Sequence, residues 1–363
     1  RDEELLPRSV RSTEFCCRGV VPPLTVVLHP PDAATGYSEG VWVATHATLE
    51  YVPQLESMLE AWDGPASIAL VVAGEDLHAA QKACRVLAKA TTHPLLVTAV
   101  VVDWRRGADR LHGGLLYPSN LARKVAFEKV PSPSWIWLLD ADLRPCVGAR
   151  QRLLRQLERL EDTFTVVVTP TFEAADEAGF AQAVGEADMA AMRKMVDGGL
   201  LSLFHAHHFA AGHAATDVER WLREPEKTYE IEYEVGFEPF ALLHTDLAAQ
   251  ADAAEGSLFD TTLRHPHKDK CAVYLRVSPL AGTFVVLPDV CLLSPPHTPS
   301  TLRRGMQAPD GDLFAKAAGG ARFDEIARAI GSAGVLQDGG GALKRADEVM
   351  LRELFVAPQK REH

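Results

Sequence analysis

Two carboxylates separated by one alanine, Asp140 and Asp142, close the apolar run Trp135-Ile136-Trp137-Leu138-Leu139. A run of that length suits a buried strand, and residues i and i+2 of an extended segment point the same way. Both acids are therefore expected to face one cation at the strand's carboxyl end, where open α/β sheets bind their ligands. A polar turn that simply ends a short strand is the alternative.

Two flanking segments add to the pair. Upstream, Tyr117-Pro118-Ser119-Asn120-Leu121-Ala122-Arg123 reads as a helix start, with Ser119 as N-cap and Asn120 and Arg123 one turn apart on one face. That helix feeds the acidic strand, so an amide and a guanidinium are expected at the same sheet edge, and guanidinium matches phosphate in geometry and charge. Asn120 is the only asparagine in the chain. Downstream, His297 sits in the stiff segment Pro295-Pro296-His297-Thr298-Pro299, where an imidazole could complete a carboxylate-rich site for a borderline cation such as Mn²⁺.

The whole chain constrains the ligand. Lys+Arg number 37 against 49 Asp+Glu, a net charge of −12, which argues against a nucleic-acid surface and makes an anionic ligand depend on local cations or a metal. Hydrophobic residues at 47% and charged residues at 24% fit a large globular core. No apolar stretch approaches the roughly 20 residues of a membrane span, and no signal peptide is evident. The chain opens on Arg1, which fits removal of an N-terminal anchor or signal. Cys16, Cys17, Cys84, Cys146, Cys271 and Cys291 show no metal-ligand spacing, and their pairing is open.

Residues 1–22 read as an arm or linker. Strands are expected over 24–29, 41–45, 67–73 and 95–103, alternating with helices over 49–62, 78–90 and 119–129, which implies a mostly parallel sheet covered on both faces. After the acidic pair a helix is expected over 149–161, a strand over 163–169, largely helical structure over 174–223, and strands over 230–245 and 282–293. Residues 23–300 form the main domain, and 301–363 a helical appendage packed on the sheet.

The order of several blocks resembles glycosyltransferase family 49, the LARGE and β-1,4-glucuronyltransferase type. These are Trp42 to His46, Leu59 to Ser67 with Trp62-Asp63-Gly64-Pro65, Tyr117 to Ala126, Leu139-Asp140-Ala141-Asp142, and Val168 to Glu173. His207, Gly212 to Thr216 with His213, Trp221, Phe237-Glu238-Pro239-Phe240, and Val286 to Ser300 continue it. The likeness spans residues 40–300. It implies a GT-A-type α/β fold, a UDP-sugar donor, a divalent cation (usually Mn²⁺), a glycan or glycoprotein acceptor and a Golgi or secretory-lumen location. Asp140 and Asp142 would be the metal motif with His297 as a further ligand. Asn120, Arg123 and Asp140 would line the nucleotide, with Thr45 where the first strand meets the uridine.

Inverting transfer needs a carboxylate base beside the acceptor hydroxyl. Glu238, which the family motif keeps, and Asp269 are the candidates. Asp269 stands at the family's Asn position and is read either as a newly placed base or, by preference, as a solvated charge. It lies in 263–270, a segment that lacks the two glycines of the family's Gly-aromatic-Gly-x-Asn-Lys pattern. Ser294 replaces the first histidine of the late His-x-x-His, and Lys124 a second Asn. His205, His207, His208 and His213 look like a cluster, but only His207 and His213 match the family and read as core or acceptor-cleft residues. A family-like scaffold without catalysis is the alternative function.

Overall fold

The computed structural model describes residues 24–28, 40–102, 117–160, 162–206, 209–224, 226–261, 263, 268–296 and 323–330. Its first half alternates as the apolar runs require: β1 (Leu24–Leu28), β2 (Gly40–Thr48), α1 (Val52–Trp62), β3 (Ala66–Ala73), α2 (Leu77–Leu87), β4 (Leu95–Val102), α3 (Ser119–Glu128) and β5 (Ser134–Leu138). The second half adds β6 (Arg144–Pro145), α4 (Ala149–Leu157), β7 (Thr165–Thr169), β8 (Thr171–Ala174), α5 (Glu177–Gly185), α6 (Met189–Asp197) and β9 (Leu201–Leu203). Then come α7 (Val218–Arg223), β10 (Tyr229–Ile231), β11 (Phe240–His244), α8 (Thr245–Glu255), α9 (Asp269–Val277), β12 (Thr283–Val286) and β13 (Leu292–Ser294).

The main sheet has nine strands in the order β1-β4-β3-β2-β5-β11-β7-β12-β10. β2, β3, β4, β5, β7 and β12 run one way, while β1, β10 and β11 run against them. Every residue of β3 is buried, so both faces of the sheet are covered at its centre. From β2 the chain winds outward through β3 to β4, then returns under α3 to place β5 on the other side of β2. The strand order therefore reverses between β2 and β5. A crevice opens at such a point beyond the carboxyl ends of the strands.

Tryptophans brace that edge from beneath. α1 ends at Asp63 in a left-handed conformation (φ 49°), whose N–H reaches the Leu59 carbonyl. At Gly64 a Cβ would lie 2.8 Å from the Trp62 ring, so only glycine lets the chain turn so closely. Trp62 Nε1 donates to the Pro65 carbonyl at 2.9 Å, and its ring meets Trp137 of β5 edge-on at 5.7 Å. Trp137 Nε1 in turn donates to Thr169 Oγ1 of β7 at 3.2 Å. The strand that leads into the acidic pair is thus fixed to α1 and β7 before any charged group acts.

Residues 174–223 are largely helical as expected, in α5, α6 and α7. A four-stranded second sheet that the sequence did not announce, β6-β13-β8-β9, takes β9 from that region and its other strands from the edge of the region and beyond it. Its strands are two to four residues long, too short for a period of two to register. The expected strands 230–245 and 282–293 are each broken into two short ones. Of the C-terminal region, the helix at 323–330 packs Phe323, Ile326 and Ile330 on Leu263 and on Cys271, Ala272 and Leu275 of α9, not on the sheet.

Candidate active site

Four elements converge at the reversal point. β5 delivers Asp140 just past its carboxyl end, and the Leu139 N–H still bonds the Ala44 carbonyl of β2 at 3.1 Å. β11 runs antiparallel to β5, Leu242 facing Trp137, so its leading end brings Glu238 to the same edge. α3 presents Asn120 and Arg123, and α9 begins with Asp269 and Lys270.

Their side chains form one network. Arg123 Nη2 donates to Asp140 Oδ1 at 3.1 Å, and Nη1 donates to Asp269 Oδ2. Lys270 Nζ donates to Asp140 Oδ2 at 2.8 Å and lies 3.1 Å from Glu238 Oε1, with the Phe240 ring centroid 4.0 Å away. Asp269 Oδ1 accepts from the Lys270 N–H at 2.8 Å, a carboxylate bound at a helix start where the macrodipole favours it. Burial alone would lift the Asp140 pKa, but Lys270 first and Arg123 second hold it well below the carboxylate range. Burial would likewise lift Asp269, and Arg123 reverses it. Burial would lower Lys270, but Asp140 and then Glu238 keep its ammonium charged.

Beside this network Tyr117 and His46 hydrogen-bond, hydroxyl to Nδ1, at 2.7 Å. Burial drives the phenol up, so it stays protonated. Burial, then the Arg123 charge, pushes His46 down to about 3, so the ring is neutral. Its Nε2 and Asn120 Oδ1 are buried polar atoms that no described residue satisfies, positions that call for a ligand or a water.

The donor set fits a divalent cation. Two cationic side chains face three carboxylates, and Asp142 adds a fourth acid two residues on, so a diphosphate would be repelled without a counter-ion. Carboxylate oxygens suit Mg²⁺ or Mn²⁺. A carboxylate offers about four lone-pair sites. Asp140 spends two of them on Arg123 and Lys270. Asp142 is half-buried, and its charge is felt by Arg144, whose pKa burial lowers to about 10 against the pull of Asp142. Among the described residues no group of three His, Cys, Asp or Glu is arranged to hold a metal by itself. Diphosphate oxygens would have to complete the coordination.

Several expected placements change. β5 stops at Leu138, and the Leu143 N–H bonds the Asp140 carbonyl at 3.2 Å, so the two acids lie in a turn and not on an extended strand. Ser119 is the first helical residue, capped by Pro118 without a side-chain bond. Asn120 is fully buried and does not line an open face. Its amide donates to the carbonyls of Asp260 at 3.2 Å and Asp269 at 3.3 Å, clamping the rewritten segment to α3. Asp269 is not a solvated charge: it is 0% exposed and locked to Arg123, which also leaves it no reach as a base. Thr45 is buried with an unpartnered hydroxyl, and alternation along β2 turns it away from the His46 side. Glu238 is 16% exposed, with Oε2 3.5 Å from the Cys271 thiol. His297 and His207 lie outside the described residues.

Lys270 is the member that sequence reasoning passed over. Its signal was available: it directly follows Asp269, at the lysine of the family's Asn-Lys pair.

His213 belongs to the core. It packs among Phe204, His205 and Phe240, 4% exposed, and burial with the nearby Lys270 charge pushes it down to about 3. An imidazole neutral in the fold but titrating near 6.5 when unfolded gives stability that is complete above about pH 6.5 and lost as pH falls toward 3. The slope from this residue is up to about 1.4 kcal/mol per pH unit. Urea unfolding across pH 7 to 4 is expected to show that decline, and His213→Phe to make it shallower, His46 supplying the rest; an unchanged slope would remove His213 as a source.

With this geometry in place, the likenesses to known proteins follow. A family profile described as "Glycosyl-transferase for dystroglycan" matches residues 40–105 and 98–290. Human xylosyl- and glucuronyltransferase LARGE1 is 26% identical over 266 residues, 72% of this chain and 32% of that protein. Mouse xylosyl- and glucuronyltransferase LARGE2 is 26% identical over 285 residues, 76% of this chain and 37% of that protein. The chain thus spans about a third of the length of these relatives. The structure of S. aureus TarS aligns at TM-score 0.42 and 11% identity, over 80% of this chain and 42% of that one.

Proposed function

We propose, starting from the fact that this chain belongs to glycosyltransferase family 49, that it transfers a sugar from a UDP-sugar to a glycan acceptor in a metal-dependent, inverting reaction on a GT-A-type fold. The observation that carries this reading is the Asp140 turn at the strand-order reversal, held by Arg123 and Lys270 and flanked by Glu238. A divalent cation bound there, usually Mn²⁺ in such sites, would neutralise the charge that develops on the departing diphosphate. Asp142 would hold it, with Asp140 behind and His297 as a further ligand.

The chain's own residues divide the remaining work. Arg123 and Lys270 fix the Asp140 carboxylate and supply positive charge beside the diphosphate. Lys270 also holds Glu238 Oε1, and Oε2, which keeps a lone pair beyond its contact with the Cys271 thiol, would take the proton from the acceptor hydroxyl as that oxygen attacks the anomeric carbon. Burial and Arg123 keep His46 neutral and Tyr117 orients it, with its unsatisfied Nε2 available to a polar atom of the donor. A secretory-lumen or Golgi location and a glycoprotein acceptor go with this reading, since the matched profile concerns dystroglycan.

A second reading, a non-catalytic scaffold, is favoured by one observation: Asp140 is engaged on both oxygens by protein cations, and the segment that supplies Lys270 departs from the family pattern. A UDP-release assay separates the two. UDP-xylose and UDP-glucuronate, the sugars named for the relatives, are offered first with a glycan acceptor mixture, then UDP-galactose and UDP-glucose. Acceptor-dependent release from any donor supports transfer; none from all four, with donor binding intact, supports the scaffold.

A further inference from the structure

The second sheet carries a pair of side chains that the transfer chemistry does not use. Cys146 directly follows β6 and Cys291 directly precedes β13. In the antiparallel register of these strands Leu293 faces Arg144 and Leu292 faces Pro145, so one step further along the ladder Cys291 faces Cys146. The backbones meet there: Cys146 N–H donates to the Cys291 carbonyl at 3.1 Å, and Cys291 N–H lies 3.4 Å from Cys146 Sγ. Both residues are 0% exposed. Facing residues of an antiparallel ladder have Cα atoms about 4.5–5.5 Å apart, inside the roughly 4.4–6.8 Å that a disulfide spans.

The local chemistry points the same way. The two thiols hydrogen-bond to each other, and Arg152 Nη1 lies 3.8 Å from Cys146 Sγ. The bond from the Cys291 thiol, with Arg152 behind it, lowers the Cys146 pKa against the cost of burial, and the partner Cys291 is raised. Cys271 differs: its one thiol proton is shared between the Gly236 carbonyl at 3.3 Å and Glu238 Oε2 at 3.5 Å.

We propose that Cys146 and Cys291 are a disulfide-forming pair that staples β6 to β13. The reaction is thiol–disulfide exchange with a small or protein disulfide of the oxidised-glutathione class. One cysteine thiolate attacks that disulfide and expels one thiolate; the second cysteine then attacks the mixed disulfide and expels the other. Two protons and two electrons leave the protein, and one external disulfide becomes two thiols. Because both sulfurs are sealed in the folded chain, the exchange occurs as the two strands come together. β6 starts two residues after Asp142 and β13 ends three residues before His297. The staple therefore fixes the separation of the two segments that flank the proposed metal site.

The test is independent of any transferase assay. The full chain is refolded with oxidised and reduced glutathione, blocked with N-ethylmaleimide under denaturing conditions and digested without reduction. A Cys146–Cys291 cross-linked peptide is expected, together with a Tm that falls by roughly 5 °C or more on reduction, since closing so long a loop restricts the unfolded chain. The Cys146→Ser/Cys291→Ser variant is expected to lose that sensitivity. If this variant does not fold, the peptide map of the unaltered chain decides alone. Quantitative maleimide labelling of both cysteines, or linkage of either to Cys16, Cys17, Cys84 or Cys271, overturns the proposal.

Discussion

Arg123→Ala is expected to destabilise the fold by about 3–5 kcal/mol, the range for removing one partner of a buried ion pair. Arg123 is 5% exposed and Asp269 is fully buried, so the variant strands a carboxylate that water cannot reach. Asp140 loses a partner too, but its side chain is 33% exposed and still holds Lys270, so it contributes less. The cause can be separated from lost packing. Asp269→Asn, which restores the residue type the family carries there, removes the stranded charge, so Arg123→Ala/Asp269→Asn should recover a substantial part of the loss. Urea midpoints of the two variants give the answer, and equal destabilisation of both would assign the cost to the missing guanidinium volume.

Glu238→Gln is expected to lower kcat by about 10²–10⁴, the usual yield of a positioned general base, with little effect on folding or on UDP binding. The amide keeps the shape of the acid, and Lys270 keeps Asp140 at 2.8 Å when its Glu238 contact weakens. The companion measurement is the melting temperature. A residue that only anchors the loop before β11, through its Oε1 to the Lys270 ammonium at 3.1 Å, would move Tm and leave kcat nearly untouched. Because the two roles predict opposite patterns, one variant distinguishes them.

Much of the scaffold could be read from the chain. The apolar runs that became β2, β3, β4 and β5 are long, and they alternate with helical spacing at α1, α2 and α3. Tertiary pairing had little to override there. Trp62-Asp63-Gly64-Pro65 also made local sense, since the turn, its glycine and the tryptophan bond to Pro65 all lie within four residues. The short strands of the second sheet carry no such pattern and exist because distant segments meet.

The site divides along the same line. Asp140 and Asp142 could be placed because an apolar run stops just before them. Arg123 could be placed beside them because its helix feeds that strand, and it lies 3.1 Å from Asp140. What local reading could not supply was the partner of each charge. Asp269 sits in His267-Lys268-Asp269-Lys270, a segment polar enough to pass for surface, and it is buried by an arginine 146 residues earlier. Lys270 reaches Asp140 across 130 residues. Asn120 drew notice as the only asparagine, and what the sequence could not show is that its amide clamps two carbonyls beyond residue 259. Chain-distant pairing decides which polar residues are machinery and which are framework, and composition does not encode it.

Thermal unfolding with UDP and Mn²⁺ added singly and together tests whether the acidic turn binds a diphosphate through a divalent cation. A Tm rise that needs both additions is expected, equivalent to about 2.7 kcal/mol when free UDP stands at 100 times its dissociation constant. Asp142→Ala is expected to lose that rise while its own Tm stays near that of the unaltered chain, because Asp142 is only half-buried. No rise with UDP and Mn²⁺ together, or an equal rise in Asp142→Ala, would contradict that mode of binding.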